Sequence, residues 1–144
     1  MYIGFKHLHS FIAYPLLLLL VASVVVAALA FFGKKPFTKI HRTMALLGLI
    51  SAHLQLLFGL VLYFISPLGI SNFSASNMGD SISRLYFLEH PIMMILGIAL
   101  VTVGFSKAKR KSEDSDKHKT ILMFYLIGLI LILSRIPWNV WPAF

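Results

Sequence analysis

Four apolar stretches, each long enough to cross the roughly 30 Å hydrocarbon core of a bilayer, take up most of this 144-residue chain. Backbone amides in hydrocarbon have no water to bond, so each stretch is read as a helix that satisfies its own N–H and C=O groups. The spans fall at residues 10–32, 43–66, 86–106 and 120–137. Gly33 and the pair Lys34, Lys35 close the first, Pro67 and Gly69 the second, and Pro137 the fourth, ahead of two tryptophans suited to an interfacial belt. Pro15 lies in the opening turns of the first span, where a mild kink is expected from the freed carbonyl of Phe11. The apolar start is too long for a signal-peptide core and is read as a retained first helix. Together these features predict an all-α protein, an integral membrane up-down four-helix bundle forming one domain over residues 1–144.

Charge placement gives the orientation. Residues 33–43 carry Lys34, Lys35, Lys39 and Arg42, and residues 106–120 carry Lys107, Lys109, Arg110, Lys111, Lys117 and Lys119, ten of the 13 basic residues. Loops rich in Lys and Arg stay cytoplasmic, so both termini and the 67–85 loop are expected outside. The formal charge of +8 is thereby read as a topology signal, and no nucleic-acid partner is expected. The chain has no cysteine, which excludes thiolate chemistry, Cys-ligated metals, iron–sulfur clusters and covalent c-type haem attachment. No nucleophile–base pair, Gly-rich phosphate loop or paired acids appear, so hydrolase and transferase chemistry lack support.

Six histidines in so apolar a chain are the main functional signal, because an ionisable group in hydrocarbon is costly without a partner. His7, His41 and His118 stand at span ends, beside basic residues in the last two cases, and are assigned solvated, interfacial roles. His53 lies about nine residues into the second span, roughly 14 Å deep at about 1.5 Å per residue, flanked by Leu49, Ile50, Leu57 and Leu60. Either a hydrogen bond to a neighbouring helix or ligation of a flat, apolar haem would satisfy it. Glu89, His90 and Pro91 cluster in the outer half of the third span, and Arg135 reaches a similar depth on the fourth. A Glu89–Arg135 ion pair is expected, and the guanidinium also suits a haem propionate. His9 sits at the outer end of the first span, about 10 Å above His90 by straight-helix counting. His9, His53 and His90 form a triple from which two ligands are expected, with copper or zinc as the other metals three histidines suit. Small residues mark the helix contacts: Gly48, Ser51, Ala52, Gln55 and Gly59 on one side of the second span, Gly97 and Gly104 on the third, Ser23 and Ala27 beneath His9 on the first.

The segments KHLHSF, SAHLQLLFGLVLYF, LEHP and LILSRIPW, distributed over nearly the whole chain, resemble short bacterial four-helix membrane proteins labelled cytochrome B. The resemblance implies non-covalent haem b, with His9, His53, His90 and Arg135 as cofactor-binding positions, and a place in the bacterial inner membrane. It also implies electron transfer with a quinone or another membrane redox protein, in a homo- or hetero-oligomer. This sequence lacks the two histidines per helix of the larger transmembrane b-cytochromes. The competing reading is an accessory or assembly subunit of a respiratory complex, in which the same residues only tie helices together. A transporter or proton pathway is disfavoured by the scarcity of intramembrane acids.

Overall fold

A computed structural model describes residues 1–142. Four helices are long and apolar enough to cross a membrane: α1 (Tyr2–Phe32), α2 (Lys39–Ile65), α3 (Ser81–Lys109) and α4 (Asp114–Ser134). Two single 3₁₀ turns, Ile70–Asn72 and Asn77–Gly79, lie in the α2–α3 connection. No strand occurs among the described residues. Helix α1 packs on α2 and α4, and α3 packs on α4 and α2, so α1 and α3 oppose each other across the diagonal. Trp141 donates to the Ser10 carbonyl at 3.2 Å, which brings the exit of α4 back to the entry of α1.

The helices run beyond the spans predicted for them. α1 starts at Tyr2, not residue 10, so Lys6, His7 and His9 are helical, and at about 1.5 Å per residue its 31 residues extend roughly 46 Å. α2 starts at Lys39 because Thr38 caps it: the Thr38 N–H donates to His41 Nδ1 at 3.1 Å. His41, expected to be merely solvated, is half of that cap. Asp80 caps α3 by accepting from the Ser83 N–H at 2.8 Å, and hydrogen bonding from Ser83 holds its carboxyl below the usual carboxylate range. α4 starts six residues early, at Asp114, and ends at Ser134, with Arg135 as its C-cap. Ile136, preceding Pro137, is disfavoured from helical geometry, which accounts for the early stop.

Interhelical contacts run through small side chains. A Cβ added to Gly128 would sit 2.7 Å from the Gly97 carbonyl oxygen, and one added to Gly97 would sit 2.8 Å from the Gly128 oxygen, so α3 and α4 touch backbone to backbone. Gly48 of α2 seats the Ser23 hydroxyl of α1, 3.0 Å from where a Cβ would lie, on the face the small-residue pattern predicted. Between these contacts lie Leu16, Leu20, Val101, Ile121 and Tyr125, and the Tyr125 hydroxyl donates to the Ala45 carbonyl at 2.6 Å. The outward faces are equally apolar, with Leu18, Leu29, Leu57 and Ile130 all more than half exposed. A Gly128→Val change forces α3 from α4 and is expected to cost about 3 kcal/mol. Thermal unfolding of purified protein followed by circular dichroism should show it, and an unshifted transition would contradict the backbone contact.

Candidate functional site

The site is organised by the proline at position 91. Without an N–H it cannot donate to the carbonyl of Phe87, four residues back. Two features answer this deficit. The helix widens into a π turn over Leu85–Glu89, in which the His90 N–H reaches the Leu85 carbonyl, and the Tyr63 hydroxyl of α2 donates to the orphaned Phe87 oxygen at 3.1 Å. A single π turn in an α-helix re-aims the side chains around it. Those side chains are Glu89 and His90.

Glu89 lies between two guanidiniums. Arg84 Nε donates to Oε1 at 2.8 Å and Arg135 Nε to Oε2 at 3.1 Å. The expected Glu89–Arg135 pair is therefore present, and Arg84, which sequence reasoning left unassigned in the outer loop, is its second partner. Arg84 also donates to the Met78 carbonyl at 2.7 Å, fixing the 3₁₀ turn over the same end of the bundle.

His90 Nδ1 lies 2.8 Å from the Arg135 carbonyl oxygen. A carbonyl only accepts, so Nδ1 carries the proton and neutral His90 keeps its lone pair on Nε2, for which no hydrogen-bond partner occurs among the described residues. Across the diagonal stands His9, its ring centroid 6.3 Å from that of His90 and its plane turned by 80°. Straight-helix counting put the two about 10 Å apart in depth, which the contact corrects. α3 continues to Lys109, three residues past the predicted end, and the extra turn accounts for roughly half the difference.

α2 completes the layer with two residues that sequence reasoning placed on a packing face only. Gln55 Nε2 donates to the His9 carbonyl at 2.9 Å and lies 3.4 Å from His9 Nε2. Gly59 leaves room for the ring, since a Cβ there would be 3.0 Å from His9 Cε1. An amide deep in an apolar helix was the available signal for Gln55; for Gly59 nothing in one sequence separates a ring seat from a helix contact. His9 Nδ1 and Gln55 Oε1 are buried without hydrogen-bond partners.

His53 stands apart from this layer. It is two residues, or about 200°, around α2 from Gln55 and six residues, or roughly 9 Å, along from Gly59. It is exposed on the apolar exterior, with Nδ1 donating to the Leu49 carbonyl at 2.9 Å and Nε2 3.5 Å from Thr102 Oγ1 of α3. The three histidines thus do not converge, and no group of three His, Asp or Glu residues placed to hold a metal ion occurs among the described residues. His118, expected to be solvated, is 1% exposed at the opposite end of the bundle, with Nε2 3.2 Å from the Lys35 carbonyl oxygen.

Tested against a haem, the donor set of the layer fits. Two imidazoles meet there on diagonal helices: Nε2 of His90 keeps its lone pair because a backbone carbonyl fixes the tautomer, while His9 faces the Gln55 amide with Nε2 and has Nδ1 without a protein partner. No known protein family, curated protein or solved structure matches this chain.

Tyr63→Phe removes the hydroxyl that serves the Phe87 carbonyl and should destabilise the fold by about 1–2 kcal/mol. Adding Pro91→Ala returns a backbone donor, so the double variant should unfold at a higher temperature than Tyr63→Phe alone; additive losses would show that Tyr63 does not stand in for the missing amide.

Proposed function

We propose that this chain is an integral membrane haem-b protein, with both termini outside and its basic loops in the cytoplasm, and that His9 and His90 are the axial ligands of a single haem. The observation that carries this reading is the pair of imidazoles meeting across the bundle diagonal, each with an unpartnered nitrogen. The resemblance of KHLHSF, LEHP and LILSRIPW to cytochrome-B-labelled proteins supports it, as does an exterior apolar on all sides.

Bound haem would supply one-electron chemistry, and the chain's residues would do the rest. The Arg135 carbonyl holds the His90 proton on Nδ1, which orients the ring and raises the basicity of Nε2. Arg84 and Arg135 outweigh Glu89 by one positive charge. The Arg135 side chain is 43% exposed, with Nε on Glu89 and Nη1 on the Ser134 carbonyl at 2.9 Å, so Nη2 would be the group left for a propionate. Electrons would pass to a quinone or another membrane redox protein. His53, set apart on the exterior, has no part in this pairing.

A second reading has its own observation. His9 packs directly on Gly59, and most polar atoms of the layer are already bonded within it, as they would be in a tie between helices of an accessory subunit. Colour separates the two. Protein expressed with ample haem should show a reduced-minus-oxidised α-band that His9→Ala and His90→Ala each abolish and His53→Ala leaves intact. Colourless, folded wild-type protein would favour the accessory subunit, and haem lost with His53→Ala but kept with His9→Ala would overturn the pairing.

Orientation has a separate check. A reporter fused after Phe144 should be active only outside, given ten of 13 basic residues on the loops at the opposite end. Activity confined to the cytoplasm would reverse the assignment.

A further inference from the structure

The far end of the bundle carries a second feature, unrelated to the histidine layer. A crevice of about 380 Å³ opens among the start of α2, the end of α3 and the start of α4. Four cations line it: Lys39, Arg42, Lys109 and Lys117. Its floor is apolar, formed by Phe105, Ala108 and Ile121.

Charge bookkeeping shows what the crevice lacks. Lys117 is paired with Asp114 at 3.0 Å, whereas Lys39, Arg42 and Lys109 have no ion pair among the described residues. Two of the ammonium groups are set against aromatic rings, Lys117 Nζ 5.7 Å from the Phe37 centroid and Lys109 Nζ 5.7 Å from that of Phe105. Such contacts restrain long side chains that would otherwise spread into solvent. Topology alone requires only that cations lie on this side of the membrane; it does not require them to converge on one cleft with a hydrocarbon floor.

We infer that this crevice binds one anionic phospholipid, the headgroup phosphate among Lys39, Arg42 and Lys109 and the upper acyl chain on Phe105, Ala108 and Ile121. Oriented cations above an apolar cleft at the bilayer surface are the arrangement that acidic headgroups bind. The shared chemistry is a phosphate anion, and the apolar floor favours the lipid over free phosphate. The inference rests on the membrane reading and is independent of haem.

The test uses the full chain in non-ionic detergent micelles, with helicity measured for every variant and lipid binding followed by native mass spectrometry. Phosphatidylglycerol should be retained as a single bound copy and phosphatidylcholine should not. The double change Lys39→Gln with Arg42→Gln should weaken that binding about thirtyfold, equivalent to about 1 kcal/mol for each charge removed. Lys111→Gln with Lys119→Gln, an equal charge loss outside the crevice, should change it less than about twofold. Equal losses for both pairs, equal retention of the two lipids, or displacement of phosphatidylglycerol by millimolar inorganic phosphate would each overturn the assignment. A chain that stays soluble and helical without detergent would instead fail the membrane reading.

Discussion

Helices that are apolar on every side have no hydrophobic reason to prefer one neighbour over another. What holds this bundle in one arrangement is close backbone contact where side chains are small, and polar groups that must find each other because nothing else nearby can bond them. Gly97 against Gly128 and Gly48 against Ser23 set the first kind of contact. The second is concentrated at the two ends: Arg84, Glu89, His90, Arg135, His9 and Gln55 at one, and Lys35, Thr38, His41 and His118 at the other. Between the ends, Tyr125 and Ser23 bond α2 carbonyls, while Ser51, Thr102 and His53 bond carbonyls of their own helices.

The same division explains what could be read from the sequence. Length and hydropathy disclosed four helices because each apolar run exceeds what any soluble helix would tolerate. Their ends were harder, since hydropathy falls before the helix does: α1 continues outward through Lys6 and His7, and α4 through Lys117 and His118 toward Asp114. Neither start has a side-chain cap, and the bond of His118 to the Lys35 carbonyl is a tertiary contact that leaves no periodic trace. The depth match of Glu89 with Arg135 was legible because both positions were counted along nearby helices that pack on each other. His9 and His90 belong to opposed helices, so an error in either end propagates into their apparent separation.

His53 and His118 show why burial cannot be inferred from position in a span. His53 is mid-helix but faces outward, satisfied by the carbonyl one turn back. His118 is near a helix end but turned inward, beneath Phe37 and edge-on to His41 at 4.7 Å between centroids. Rotation about the helix axis, worth about 100° per residue, decides such cases, and it is set by neighbours that a single sequence does not name.

The histidine layer draws its members from widely separated parts of the sequence, His9 on α1 and the Arg135 carbonyl at the end of α4. During synthesis, which delivers the helices in order, α1 therefore presents an unsatisfied imidazole long before α4 exists. Gln55 arrives with α2 and gives His9 an interim tether; His90 follows with α3, still without the acceptor that selects its tautomer. Only when the end of α4 has been made can the layer close, because the acceptor for the His90 proton is the Arg135 carbonyl.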